Sequence, residues 1–208
     1  MIKMDVQNEH HSQPLSSLLT FKVSRMARAS KERELMGCFF NEPSRHWHFT
    51  DLRQATGLPD HRLVVWLERF HEQNLVRRVK LEGQRSYYRA LSESPDYRMR
   101  KRAFAFEDMR ASGLLAYLAS LPAEAVVLFG SMARSDWHTD SDIDVFVLGS
   151  SAQIRKHRFE KRMRRDIQLF TYSDRRTLAS VDGALLRSIA EGMLLRGDLG
   201  FLQVRADG

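Results

Sequence analysis

The chain has 208 residues, 43% of them hydrophobic, with a formal net charge of +7 and a pI near 9.8. That length suits one large or two small domains with real cores, and the charge suits an anionic partner. A single cysteine, Cys38, excludes an internal disulfide and a cysteine-based zinc site, and no apolar run reaches membrane-spanning length.

No signal-peptide pattern opens the sequence, so the cytoplasm is the expected compartment. Residues 1–21 are polar, with His10-His11 and Pro14, and read as a flexible tail with one weakly packed turn at 15–19. Residues 22–95 hold 14 basic and 9 acidic residues, against 18 and 15 in 96–208, so the positive excess leans to the N-terminal half.

Leu35, Met36, Phe39 and Phe40 form a helical stripe that places a helix over 24–40, stopped by Asn41-Glu42-Pro43. Residues 46–49 are short and aromatic, a small strand. His46 and His48 share its face but have no third ligand, so a structural role is expected. Thr50 is the expected cap of a second helix, 51–56, ended by Gly57. Pro59 starts a third helix, with Leu63, Leu67 and Phe70 inward. Residues 75–81 alternate as a strand, Glu82-Gly83-Gln84 turns, and 86–90 returns.

This order resembles a winged helix-turn-helix over residues 22–95. The resemblance implies a third helix in the DNA major groove and a hairpin over the backbone. It nominates Asp60, His61, Arg62 and Arg69 on the helix, and Arg77, Arg78, Lys80 and Arg85 on the wing. Val64, Val65 and Trp66 stand where DNA readers usually carry polar groups, so docking on another subunit or on the second domain is the other reading. Residues 96–122 connect the two halves as a helix over 97–121, broken near Gly113. Its basic start, Arg98, Arg100, Lys101 and Arg102, is expected to be solvated, the other reading being part of a nucleic-acid surface. Leu114, Leu115, Leu118 and Leu121 are expected to pack into the second domain.

The second domain, 123–208, opens with an apolar run at 126–129, read as a short buried strand that ends in Gly130-Ser131. Asp142-Ile143-Asp144 then opens a second apolar run, 145–148. Residues two apart in a strand share a face, so Asp142 and Asp144 project side by side. Two carboxylates at the mouth of a hydrophobic strand call for a cation, and hard oxygen ligands suit magnesium. Gly130 lets a ligand approach the backbone, and N–H groups of a helix opening there face an anion such as phosphate, with the Ser131 hydroxyl as a further donor.

Gly130-Ser131, Arg134 and Ser141-Asp142-Ile143-Asp144 resemble the signature of the polymerase-beta-like nucleotidyltransferase superfamily. Ala133-Arg134 beside Gly-Ser is most similar to its minimal nucleotidyltransferase branch, which often has a glycine where this chain has Ser135. The resemblance covers roughly 123–200. It implies that Asp142 and Asp144 bind two magnesium ions about 3.5–4 Å apart. It also implies that Gly130 and Ser131 hold the β and γ phosphates of a nucleoside triphosphate, with ATP expected. Arg134 and Ser141 complete that nucleotide-binding group, Arg134 stabilising the loop or the phosphate charge. The implied reaction moves a nucleoside monophosphate, expected to be AMP, to an acceptor hydroxyl and releases pyrophosphate. In that branch the acceptor can be a partner protein, as in toxin–antitoxin pairs whose toxin is adenylylated.

Gly149-Ser150-Ser151 reads as a turn. Residues 153–164 read as a charge-dense helix, with Arg155, Lys156, Arg158, Lys161, Arg162 and Arg164, followed by Arg165. Such a run is either a solvated face or a surface for a polyphosphate or nucleic-acid acceptor. Residues 166–172 form a third strand with Asp166, Gln168 and Phe170 on one face and Ile167 and Leu169 on the other. The superfamily takes a third carboxylate from a later strand, and Asp166 matches it in order and strand context. The resemblance assigns it the nucleophile-side metal and the acceptor's proton. A salt bridge to Arg164 or Arg165 is the alternative. Residues 177–191 are helical, with Leu178, Leu185, Leu186 and Ile189 inward. Gly192 stops them, and 193–196 form a small strand. Glu191-Gly192 before an apolar pair also resembles the minimal branch. Residues 203–208 are expected to be loose.

The expected whole is an α+β chain: a winged helix-turn-helix, a connecting helix, and a polymerase-beta-like nucleotidyltransferase domain with a small mixed sheet. Expected partners are a nucleoside triphosphate, double-stranded DNA, a protein acceptor such as a cognate toxin, and a second copy of the chain. The other function class is a nucleotide-sensing DNA-binding regulator, or an antitoxin-like protein, with little or no turnover.

Overall fold

The computed structural model describes residues 31–149 and 154–202. The expected tail, the start of the first helix, the turn at 149–151 beyond Gly149, and residues 203–208 lie outside it.

Helix α1 (Lys31–Asn41) buries Leu35, Met36, Phe39 and Phe40, the stripe that three-and-four spacing puts on one face. Strand β1 (Trp47–His48) leads directly into α2 (Phe49–Thr56). That helix begins before Thr50, so Thr50 is not its cap. The Asp51 carboxylate accepts from the His48 N–H at 3.4 Å and closes the first turn instead. Helix α3 (Asp60–Glu72) follows Pro59 and buries Leu63, Leu67 and Phe70. Strands β2 (Val76–Val79) and β3 (Tyr87–Ala90) pair antiparallel and are shorter than their sequence patterns. Strand β1 joins β3, giving the order β1-β3-β2.

Pro95 opens α4 (Pro95–Ser112), at a position where a missing N–H costs nothing. Gly113, at φ 83°, separates α4 from α5 (Leu114–Ala119). The second half then runs β4 (Ala123–Phe129), α6 (Gly130–Arg134), β5 (Ile143–Gly149), α7 (His157–Met163) and β6 (Ile167–Tyr172). A 3₁₀ turn (Arg175–Ser180), α8 (Gly183–Ala190) and β7 (Met193–Arg196) complete it. The sheet order is β6-β5-β4-β7, with β5 and β6 parallel and the other pairs antiparallel. This is a mixed α+β architecture around a small mixed sheet. Both sheet faces are apolar: Val126, Leu128, Val145 and Val147 pack on one, Ala125, Val127, Phe146 and Leu148 on the other. No described helix is long and apolar enough to cross a membrane.

The two halves share one continuous core. The Tyr97 hydroxyl donates to the Phe39 carbonyl at 2.9 Å, and the Phe40 ring meets Trp137 edge-on at 6.3 Å. Lys101 belongs to this joint. Arg98, Arg100 and Arg102 are exposed as expected, but Lys101 is only 1% exposed, which corrects the reading of the helix start as wholly solvated. Its ammonium donates to the Trp137 carbonyl and lies 4.6 Å from the centre of the Trp137 ring. Burial pushes its pKa down to about 8; Asp136 opposes the shift and Arg165 adds to it.

This has a pH signature. Between pH 8 and the ordinary value of 10.5, the unfolded chain holds a proton at Lys101 that the folded chain has released. Stability contributed by Lys101 therefore rises with pH across that window and is lowest below it. The full difference corresponds to about 3 kcal/mol at about 1.4 kcal/mol per pH unit. Urea unfolding of wild type and Lys101→Met at pH 7.5 and pH 10 is the measurement. Wild type should gain on Lys101→Met by a large part of that amount as pH rises. Parallel profiles would mean that Lys101 keeps an ordinary, hydrated charge.

Candidate functional site

The site is built where β4 ends beside the start of β5. Phe129 and Asp144 are ladder partners across this pair. The chain then turns at Gly130, whose φ is 70°. A β-carbon there would overlap the Asp144 carboxylate and lie 2.9 Å from its Cγ. Glycine is thus required twice, for the left-handed backbone and for the space that the carboxylate occupies. Helix α6 ends at Ser135, also left-handed at φ 70°. The serine keeps the turn that a glycine would make more cheaply, and its hydroxyl accepts from Arg102 Nε at 3.3 Å.

Ile143 is fully buried on one face of β5, which turns Asp142 and Asp144 to the other. Asp142 is exposed and Asp144 half-buried. Burial first, and the Asp142 charge second, push the Asp144 pKa up; Arg134 pulls it down. Arg134 donates to Asp136 at 3.1 Å and to the Ser188 hydroxyl on α8 at 3.4 Å. Ser131 is half-buried in the first turn of α6. The Ser141 hydroxyl accepts from the His138 N–H at 2.9 Å and so shapes the loop before Asp142.

That loop is held by a residue whose role the sequence concealed. Arg165 donates to the carbonyls of His138, Thr139 and Ser141 at 2.7, 2.9 and 2.8 Å, and to Asn41 Oδ1 at 2.9 Å. The Thr139 N–H donates to the Asn41 carbonyl at 2.9 Å. Other cations of the charge run are structural as well. Lys156 reaches the Ile167 carbonyl at 2.7 Å, and Arg162 the Ser112 carbonyl at 2.7 Å.

The third strand begins one residue later than expected. Asp166 precedes β6, and its carbonyl accepts from the Ile143 N–H at 2.9 Å. Continuing the parallel register sets Asp166 opposite Asp142, whereas the ladder partner of Asp144 is Gln168. Among the described residues, no group of three His, Cys, Asp or Glu is arranged to hold a metal ion. The register nevertheless brings Asp142, Asp144 and Asp166 to the same end of the β5–β6 pair. What is present, an acid pair open on one side, fits a cation whose remaining ligands come from phosphate oxygens and water.

A cavity of about 950 Å³ lies elsewhere, between α1, α4 and the segment joining α7 to β6. Cys38, Asn41, Phe104, Trp137 and Arg165 contribute to its wall; Gly130, Ser131, Asp142 and Asp144 do not. Burial pushes the Cys38 thiol up to about 11, which leaves it protonated and unreactive at neutral pH.

On the N-terminal half, Arg62, Arg69, Arg77, Arg78, Lys80 and Arg85 are all exposed. Arg69 lies 4.6 Å over the Trp66 ring, and Arg78 donates to the Ser86 hydroxyl at 3.4 Å. Arg77 stands directly opposite Arg89, a residue the sequence reading passed over. Like charges facing each other across strands repel, and an anion between them relieves this. Val64 and Val65 are 41% and 54% exposed, so the apolar patch on α3 faces outward. His46 stacks on Tyr87 at 4.1 Å, and His48 meets the Ser86 carbonyl at 3.1 Å, both structural contacts.

Residues 113–176 match the family model of the nucleotidyltransferase domain. The matched segment spans β4, α6, β5, α7 and β6 and contains the whole acid pair and the Gly130 turn. It supports the nucleotidyltransferase superfamily, nucleotidyl transfer in general, and a nucleotide substrate. No curated protein and no solved structure matches the chain.

Two outcomes follow from this geometry. Gly130→Ala should cost about 1–3 kcal/mol through its forced backbone alone, and more through the displaced Asp144 carboxylate. Combining it with Asp144→Ala should recover the second part only, as read by urea unfolding. Asp144→Asn should raise Tm slightly at pH 7 without metal. A raised carboxyl pKa means stability that is lost as pH rises through it, and Asn avoids that loss. The advantage should vanish at acidic pH, where Asp144 is protonated in wild type.

Proposed function

We propose that this chain is a metal-dependent nucleotidyltransferase that moves AMP from ATP to an acceptor hydroxyl. The carrying observation is the Asp144 carboxylate lying in the space left by Gly130, next to Asp142, at a left-handed turn between two sheet strands. The superfamily match over 113–176 supports it. In this reading Gly130 and Ser131 receive the β and γ phosphates, and Ser141 shapes the loop. Arg134, already 3.1 Å from Asp136, offsets phosphate charge. Asp142 and Asp144 would hold magnesium, which would supply positive charge against the phosphates. The acceptor oxygen bonds to the α-phosphorus, the bond to the bridging oxygen breaks, and pyrophosphate leaves. The acceptor's proton passes to a base on the open side, the role proposed for Asp166. A protein acceptor such as a cognate toxin is the proposed class.

Residues 22–95 are proposed as a winged helix-turn-helix, 96–122 as its connecting helix and 123–208 as the catalytic domain. DNA is the favoured ligand of the first unit, because Arg77 and Arg89 face each other on an exposed sheet surface beside Arg78, Lys80 and Arg85. The outward Val64 and Val65 support docking on a protein, including a second copy, as the competing role.

One observation favours a second reading, a nucleotide-sensing regulator with little turnover. The loop before Asp142 is tied to Asn41 of the N-terminal half.

Labelled ATP with magnesium and cell extract separates the two: transferred label supports the enzyme, and magnesium-dependent binding alone supports the sensor. Asp142→Asn with Asp144→Asn should abolish that binding and lower any transfer by several orders of magnitude. Unchanged ATP binding in this double variant would sink the site assignment. For the first unit, Arg77→Ala with Arg78→Ala should weaken duplex binding at all sequences and lower its salt slope by about 2. An unaltered duplex affinity, with Trp66→Ala dissociating an oligomer, would transfer the role to protein docking.

A further inference from the structure

We infer that the cavity of about 950 Å³ between α1, α4 and the segment joining α7 to β6 is a binding site for a small organic anion, an oxyanion head on an apolar body. Its volume lies within the range of about 300–1,000 Å³ that small-ligand sites occupy. The charges of its wall do not cancel. Each wall carboxylate is already paired: Glu34 with Lys31, Glu42 with Arg45 and Asp108 with Arg33. Arg162, Arg164 and Arg165 also border the cavity, and none of them has a carboxylate partner among the described residues. Arg162 and Arg165 donate to neutral carbonyls. Arg164 has no side-chain partner among the described residues, and it takes left-handed backbone at φ 53°, where glycine or asparagine fits with less strain. Guanidinium groups left unopposed around one space select an oxyanion.

Two further donors belong to the same wall. Trp47 and Trp137 border the cavity at 4% and 2% exposure, and neither indole N–H meets an acceptor among the described residues. Among those residues they are the only buried side-chain nitrogens or oxygens without a partner, and both lie on this one cavity. Buried N–H groups are ordinarily paired, and an oxygen brought by an occupant pairs these. Phe104, Ala111 and Met163 make the wall apolar elsewhere, which suits a ring or hydrocarbon body. Gly130, Ser131, Asp142 and Asp144 lie outside the cavity, so its occupant is not the proposed nucleotide. Asn41, Thr139 and Arg165 do border it, and they hold the loop before Asp142. An occupant therefore touches the contacts that place Asp142.

The test uses the full chain and 8-anilinonaphthalene-1-sulfonate, read by its fluorescence, beside N-phenyl-1-naphthylamine, the same rings without the sulfonate. The sulfonate probe should bind about tenfold or more tightly than the neutral one. Arg164→Gln should weaken the sulfonate probe about tenfold and leave the neutral probe unchanged. Arg187→Gln, the same charge change on an exposed residue of α8, should leave both probes unchanged. Arg164 is exposed, so its variant folds, which matching thermal melts check. Hydrogen exchange locates the probe, whose binding should slow the amides of residues 137–141. Competition by phenyl phosphate and by phenylacetate tells a phosphate head from a carboxylate head, and at least one of them should displace the probe. Four results each overturn the inference: equal binding of the two probes, an Arg164→Gln variant that binds as wild type or loses no more than Arg187→Gln, displacement by neither competitor, and protection confined to α3.

Discussion

The Trp137 indole is the joint on which the arrangement depends. Two cations lie against it, Lys101 at 4.6 Å and Arg165 at 5.0 Å, and Phe40 and Phe104 meet it at 6.3 Å. Phe40 and Phe104 come from the N-terminal half and the connecting helix, and Arg165 from the segment leading into β6. Trp137 begins the loop that delivers Asp142. Lys101 holds the first carbonyl of that loop and Arg165 holds three of the next four. A loop whose carbonyls are fixed by one buried and one half-buried cation is more rigid than its polar composition suggests. The placement of Asp142 therefore depends on both halves of the chain and not on the matched segment 113–176 by itself.

Such an arrangement is costly in the free protein. Lys101 is charged at neutral pH in a place that disfavours charge, and Asp144 is half-buried beside a second carboxylate. Gly130 and Ser135 both take left-handed backbone within six residues. Strain and like charge concentrated in one short stretch are what a ligand site requires and a purely structural turn avoids. In the proposed function a bound cation would relieve the carboxylate repulsion directly. The contacts at Trp137 supply the packing that keeps the turn in shape without it.

Much of this was legible in the sequence, and the failures have physical causes. The helical stripe at Leu35, Met36, Phe39 and Phe40, the inner face of α3, the break at Gly113 and the Gly130-to-Asp144 unit all follow from local spacing. Thr50 was misread because a helix start is set by backbone satisfaction, and Asp51 does that work at His48. Lys101 was misread because a run of like charges hides the member that faces inward. The ladder positions of Asp166 and Gln168 were not legible. They lie two residues apart, so alternation puts both on the same face. Only the inter-strand register tells which one stands beside Asp144, and a single sequence holds no such information. Arg165 was hidden for a similar reason: its acceptors are backbone carbonyls, which leave no trace in residue types.

The register also constrains how the two halves of the chain can communicate. Asp142 sits between the proposed nucleotide site and a loop anchored on Asn41, so a ligand that drew Asp142 inward would pull on Arg165 and, through it, on α1. The α1 helix packs in the core shared with α3, whose outer face carries Val64, Val65 and the exposed arginines. Well-packed cores respond to such a pull by shifting between discrete arrangements and not by deforming smoothly. A signal can pass from nucleotide to the α3 surface only if the contacts at Asn41 and Trp137 hold in both arrangements. Their density, four hydrogen bonds from one guanidinium and two cations on one ring, meets that requirement. The same connection bears on the proposed transfer. If the acceptor docks on α3, its binding must reach the carboxylates through the same few residues, and the rate of transfer and the affinity of the N-terminal surface become linked quantities.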